Sequence, residues 1–192
     1  MKRGATKEEI IRTTQDLITR NGIRAVRVDE IAQRLGISKR TLYEMFADKN
    51  DLISACLDDL ARRQRQRIAA SRRRRSGNPL QRTLRLANDY IDSLYTVDHS
   101  FLADIRRKVL FAEQYDEHRE FWRKELSLNL EECRGGGLLL SEIDTAALAE
   151  QLMSTLFELR LNRTTREELY LLCRTILRGA ATQQGIDLID RK

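Results

Sequence analysis

The sequence predicts an all-α protein of about nine helices, and three observations carry that prediction. The 192 residues include one proline and nine glycines, too few for a chain of many short strands and tight turns. Apolar residues recur at i, i+3, i+4 and i+7 through most of the chain, the period of a helix that buries one face. Ser, Thr, Asp and Asn stand just ahead of those runs, where a helix N-terminus needs a side-chain acceptor. No segment reads as a strand. With 41% apolar residues, the chain can bury a core rather than stay disordered.

The first helix opens at Thr6-Lys7-Glu8-Glu9, a capping-box pattern, continues through Ile10, Thr14, Leu17 and Ile18, and ends at Asn21-Gly22. Val28, Ile31, Ala32 and Leu35 define a short second helix that stops at Gly36. Ser38 caps a third, with Leu42 and Phe46 turned inward. Asp48 caps a fourth, whose apolar stripe is Leu52, Ile53, Cys56, Leu57 and Leu60. It runs through good helix formers to about Arg73, until Ser76-Gly77-Asn78 breaks it. Asn78 as cap and Pro79 at the first position open the fifth, with Leu80, Leu84, Ala87, Ile91 and Leu94 on its core face. Two more helices are expected between Ser100 and Arg134, separated near Gln114 to Asp116, and Gly135-Gly136-Gly137 reads as a linker. Asp144 starts the eighth helix, which reaches about Leu161, and Thr164 to Glu168 offers two overlapping capping boxes for the ninth.

Charge is abundant and uneven. Charged residues make up 33% of the chain, the net charge is +6 and the pI about 9.5, which raises nucleic acid as a partner. Residues 1–50 carry 11 Lys/Arg against 7 Asp/Glu, residues 51–78 carry 8 against 3, and the remainder 16 against 19. The basic character therefore belongs to the N-terminal part. Cys56, Cys133 and Cys173 are too scattered for a disulfide framework or a zinc site and read as reduced core residues. Nothing reaches the roughly 18 apolar residues of a membrane span and no signal segment is recognisable, so the expected location is the cytoplasm, with no membrane partner. No cofactor and no metal is expected, because no Gly-rich phosphate loop, nucleophile–base set or ligand spacing occurs.

The densest information lies in IAQRLGISKRTLYEMFADKNDL, Ile31 to Leu52. Gly36 stands where a tight turn between two short helices needs positive φ, Ile37 fills the space between them, and Ser38 caps the next helix. This is a helix-turn-helix over about 27–46, whose second helix presents Lys39, Arg40, Thr41, Tyr43 and Glu44 outward on the anchors Leu42 and Phe46. Such a helix fits a DNA major groove.

Ala32, Gly36, Ile37, Ser38, Thr41, Leu42, Tyr43, Phe46, Lys49 and Leu52 resemble the pattern of the TetR family of bacterial transcriptional regulators. The resemblance covers residues 3 to about 60; beyond that, only the helical layout is similar. It implies a DNA-binding head at 3–60 and a ligand-binding and dimerisation domain at 61–192, joined through the fourth helix, in a homodimer on a pseudo-palindromic double-stranded operator. The contacts it implies are Ser38, Thr41 and Tyr43 to phosphates or bases, Lys39 and Arg40 at the preference-setting positions, and Lys49 to a phosphate at the start of the fourth helix. The family commonly has Ser or Thr at the cap of the second helix. This chain has Arg27 followed by Val28, so a guanidinium would stand in for the hydroxyl contact. Lys2 and Arg3 suggest either a minor-groove arm or a disordered terminus.

The resemblance also implies an effector cavity among the helices of residues 79–134, where most aromatics and both histidines, His99 and His118, lie. Tyr90, Leu94, Phe111, His118 and Trp122 are the candidate contacts to a small hydrophobic or aromatic effector; each could equally be core. The wide apolar faces of the last two helices suit a subunit contact, with Ala149, Met153, Cys173 and Leu177 expected near the two-fold axis. The reading is a repressor that an effector releases from its operator. A DNA-bound adaptor that recruits a protein partner is the alternative, and a small enzyme the weaker one. The run Arg72 to Arg75 belongs at the far end of the fourth helix, roughly 37 Å from Lys49 at 1.5 Å per residue. That is far beyond a Debye length of about 8 Å, so it is expected to add little to operator binding.

Overall fold

The computed structural model describes residues 5–73, 77–107 and 111–190, with the side chains of 72 and 73 excepted. Among them are ten helices: α1 (Lys7–Asn21), α2 (Val28–Leu35), α3 (Lys39–Tyr43), α4 (Lys49–Arg73), α5 (Pro79–Tyr95), α6 (His99–Arg106), α7 (Ala112–Gly135), α8 (Thr145–Leu161), α9 (Arg166–Gly179) and α10 (Gln183–Asp190). The all-α prediction holds. Lys2, Arg3 and the arginine run at Arg72 to Arg75, whose side chains are at issue, lie outside the described residues. By its contacts the chain forms two compact units, Met1–Arg67 with Val97–Asp116, and Ile68–Thr96 with Glu117–Lys192. α4 contributes to both.

In the first unit, α1 begins with the expected capping box, in which Thr6 Oγ1 accepts from the Glu9 N–H and Glu9 Oε2 accepts from the Thr6 N–H. Ile10, Leu17, Ile18, Ile31, Leu42, Phe46, Leu52 and Ile53 are fully buried. They come from α1 to α4 and the turn between α3 and α4, so this unit has a core of its own. α6 packs on α1: the Asp98 N–H donates to the Thr19 carbonyl at 2.6 Å, and the Arg24 N–H donates to Asp104 Oδ2 at 3.0 Å. Gly22, at φ +85°, makes this approach possible, since a Cβ there would stand 2.9 Å from the Ser100 Cβ.

In the second unit, α5 packs on α9, α8 on α9, and α10 on both α5 and α9. Leu80, Ile91, Trp122, Leu126, Leu130, Leu156, Leu169 and Leu177 are buried at the centre.

Four local expectations change. α6 ends at Arg106 and α7 opens at Ala112, so Gln114 to Asp116, expected to separate the two, lie inside α7. Glu113 in the first turn of α7 and Arg106 in the last turn of α6 complement the helix dipoles at that earlier break. The triple glycine is a cap rather than a linker: the Leu138 N–H donates to the Cys133 carbonyl at 2.9 Å and the Gly137 N–H to that of Arg134 at 3.0 Å. Gly137 at φ +69° completes this helix-ending motif and turns Leu138 and Leu139 into the core. A tenth helix follows the nine expected. Gly185 weakens its helical signal, and the glycine is needed there because a Cβ would lie 2.2 Å from the Leu138 carbonyl oxygen. Finally, α3 is only five residues long; Phe46 lies beyond its end, yet is buried, with its N–H donating to the Leu42 carbonyl at 3.1 Å.

Candidate functional site

The turn between α2 and α3 is built by the same motif that ends α7. Gly36 sits at φ +63°, ψ +32°, the Ile37 N–H donates to the Ala32 carbonyl at 3.0 Å, and the Gly36 N–H donates to that of Gln33 at 3.2 Å. The chain then enters α3 through Ser38, whose Oγ accepts from the Thr41 N–H at 3.0 Å and lies 2.9 Å from Thr41 Oγ1. Buried Leu42 fixes the helix to the core. The outer face then follows from 3.6-residue geometry: Lys39, Arg40, Tyr43 and Glu44 are all exposed. Tyr43 is 46% exposed, so it does not pack away against α1.

Arg27 stands at the N-cap of α2 and makes no side-chain cap bond, as its departure from Ser or Thr foreshadows; Val28 beside it is half-buried. Lys49 opens α4 behind a tight cap, in which Asp48 Oδ1 accepts from the Asp51 N–H at 2.8 Å and Asp51 Oδ2 from the Ala47 N–H at 2.9 Å. Partial burial lowers the pKa of the Lys49 ammonium, and the charge of Asp104 opposes that shift. Ser38, Lys39, Arg40, Thr41 and Tyr43 thus fall on α3 or its cap, and Lys49 at the start of α4 in the same unit. Two acidic neighbours pair with the cations of α3. Asp29 Oδ1 lies 2.5 Å from Lys39 Nζ, and Glu44 Oε1 accepts from Arg40 Nε at 3.2 Å. The i, i+4 spacing of Arg40 and Glu44 was a readable signal; Asp29 and Lys39, on different helices, offered none.

The candidate effector residues divide. Tyr90, Leu94 and Trp122 are buried and His118 half-buried in the second unit, whereas Phe111, also buried, belongs to the first. Tyr90 and Trp122 meet edge to face with ring centroids 5.3 Å apart, and Phe121 stands 6.0 Å from Trp122. The Trp122 indole N–H is buried with no hydrogen-bond partner among the described residues. Among those residues, no group of three or more His, Cys, Asp or Glu side chains is placed to hold a metal, and no helix is long and apolar enough to cross a membrane.

The four residues expected near a two-fold axis are buried within the single chain. Ala149, Met153, Cys173 and Leu177 are each no more than 1% exposed in the single chain. They point into their own unit, because the face of α9 that carries Cys173 and Leu177 also carries Leu169 against the core. Among the described residues of this unit, Leu128, Leu140 and Leu171 are exposed large apolar side chains, the last 67% exposed. Cys56, Cys133 and Cys173 are buried free thiols, and burial pushes Cys56 and Cys173 up to about 12.

Residues 10–56 match the family model for bacterial regulatory proteins of the tetR family. Over 51 residues the chain is 43% identical to an uncharacterized HTH-type transcriptional regulator of Mycobacterium tuberculosis; that stretch is 27% of this chain and 21% of the relative, so the match spans about a fifth of that protein. Across nearly its full length the chain shares its fold with a TetR transcription regulator from Haloarcula marismortui, at TM-score 0.78 and 18% identity, covering 92% of this chain and 98% of that one. A chain from Saccharomonospora viridis, solved in complex with choline, superposes at TM-score 0.79 and 18% identity, covering 91% and 96%. Residues 10–56 thus carry the sequence pattern of the tetR family of bacterial regulatory proteins, and most of the chain shares the fold of a TetR transcription regulator.

Proposed function

We propose that the chain is a DNA-binding transcriptional regulator, a cytoplasmic homodimeric repressor that a small organic effector releases from a pseudo-palindromic operator. The observation that carries this reading is the exposed face of α3, where Lys39, Arg40 and Tyr43 project from a helix seated on a capped turn within the matched segment. A helix so held can enter a major groove while Lys49 and the first turn of α4 approach a phosphate. In this reading residues 3–60 are the DNA-binding head and 61–192 the ligand-binding and dimerisation domain. Two copies are needed because two recognition helices must stand ~34 Å apart, one DNA turn, to read a palindrome. The exposed apolar side chain of Leu171 on α9 supports a subunit contact better than the buried residues expected from sequence.

The effector site is proposed around Tyr90, Leu94, His118 and Trp122. Its support is the buried aromatic pair with an indole N–H that no described residue accepts: a ligand acceptor atom would satisfy it. The S. viridis chain of similar fold was solved in complex with choline, which supports a small organic effector here. Release requires the effector to bind the DNA-incompetent state more tightly, with a coupling of about 1–3 kcal/mol.

Single substitutions test the DNA contacts on a duplex selected from a randomised library. Arg40→Ala is expected to cost about 1–3 kcal/mol and to relax preference at one base pair. Lys49→Ala is expected to weaken all duplexes alike and to reduce the salt slope by about 1. Unchanged affinity in both variants and in Tyr43→Ala at low salt would remove α3 from the interface.

A further inference from the structure

The two cations at the preference-setting positions of α3 already hold carboxylates. Lys39 pairs with Asp29 and Arg40 with Glu44, so the reading face carries two positive and two negative charges and is electrically neutral. All four side chains are at least half exposed, from 56% to 90%. Ion pairs this exposed do little for folding. On a surface that meets a polyanion they matter more, because each carboxylate that approaches a phosphate is repelled and each cation it holds is less available to the backbone.

We infer that Asp29 and Glu44 are specificity determinants of the head: their carboxylates hold Lys39 and Arg40 off the phosphates, so that binding strength comes from base edges. The inference rests on the DNA-binding reading above and deepens it. A non-specific complex is held almost entirely by phosphate charge and gains nothing from a neutral face. A matched site repays opening the Arg40–Glu44 pair, because the guanidinium can fork onto guanine O6 and N7 while the carboxylate accepts from a cytosine amino group. The two groups lie one helical turn apart on the same face of the chain, a spacing that lets both reach neighbouring base pairs. Glu44 is the C-cap of α3 and caps through its backbone N–H, so its side chain has no capping duty, whereas that of Asp29 also complements the N-terminal dipole of α2. Glu44 is therefore the cleaner position to change.

The test uses the full chain, a scrambled 24-base-pair duplex and a duplex enriched from a randomised library, each titrated between about 0.05 and 0.2 M salt. Removing one carboxylate with Glu44→Gln is expected to tighten binding to the scrambled duplex by up to roughly eightfold at 0.1 M salt and to steepen its salt slope by about 0.9. The enriched duplex gains less, so the specificity ratio falls. Glu44→Asp keeps the charge and is expected to behave as the unaltered chain on the scrambled duplex. If Glu44→Gln leaves scrambled-duplex affinity within twofold, or tightens both duplexes equally, the inference is overturned. If the unaltered chain binds neither duplex in a salt-dependent way, the DNA-binding reading itself falls and takes the inference with it.

Discussion

Gly22 and Gly36 are both left-handed, but they are held for different reasons. Gly36, at φ +63°, has open space where a Cβ would sit, so an alanine there bears only the cost of the conformation, about 1–2 kcal/mol. Gly22, at φ +85°, ψ +164°, is in a region that only glycine tolerates, and a Cβ would also press on Ser100 of α6. Gly22→Ala is therefore expected to destabilise the chain more than Gly36→Ala, which thermal unfolding of the two variants compares directly. Asp59 carries a pH signature. Partial burial raises its pKa, but hydrogen bonds from Gln15 and Arg62 and the charge of Arg63, 2.7 Å away, outweigh that and hold it below the ordinary aspartate value. Its stabilisation is fully present above the unfolded aspartate value of about 3.9 and is lost as pH falls through the lower folded value. Acid titration of unfolding should show a shallower loss of stability over that window in Asp59→Asn than in the unaltered chain.

At the scale of elements, helix starts were written plainly in the sequence and helix partners were not. Thr6, Ser38, Asp48, Asn78, Asp144 and Thr165 all cap the helices expected of them, because a cap is a contact over two or three residues that local sequence specifies. Of the two overlapping boxes at Thr164 and Thr165, only the second forms. Thr164 is taken up by the preceding turn, where its N–H donates to the Leu159 carbonyl at 3.0 Å and Arg163 takes φ +64°. The candidate DNA face was legible for the same reason, since one turn and one amphipathic helix set it. The ligand and dimer residues were not: periodicity says that Cys173 and Leu177 face something apolar, but not whether that is their own core or a partner. Asp104, which accepts from the Arg24 N–H, and Asp29, which pairs with Lys39, act over chain separations that no local pattern reveals.

At the scale of the molecule, the first compact unit has its own buried core, and α6, which lies outside residues 3–60, belongs to that unit as much as α1 to α3 do. The basic excess of the first 50 residues is consistent with electrostatic attraction to DNA, yet the proposed reading face is neutral through its ion pairs. Attraction and discrimination are thus assigned to different residues of one small unit. Selection of duplexes from a randomised library by the full chain tests that account most directly. It predicts an enriched pseudo-palindrome whose half-sites lie about 10–10.5 base pairs apart, bound by two chains, with enrichment lost when Arg40 and Tyr43 are replaced by alanine. Enrichment of no sequence, or of one that survives both replacements, would contradict it.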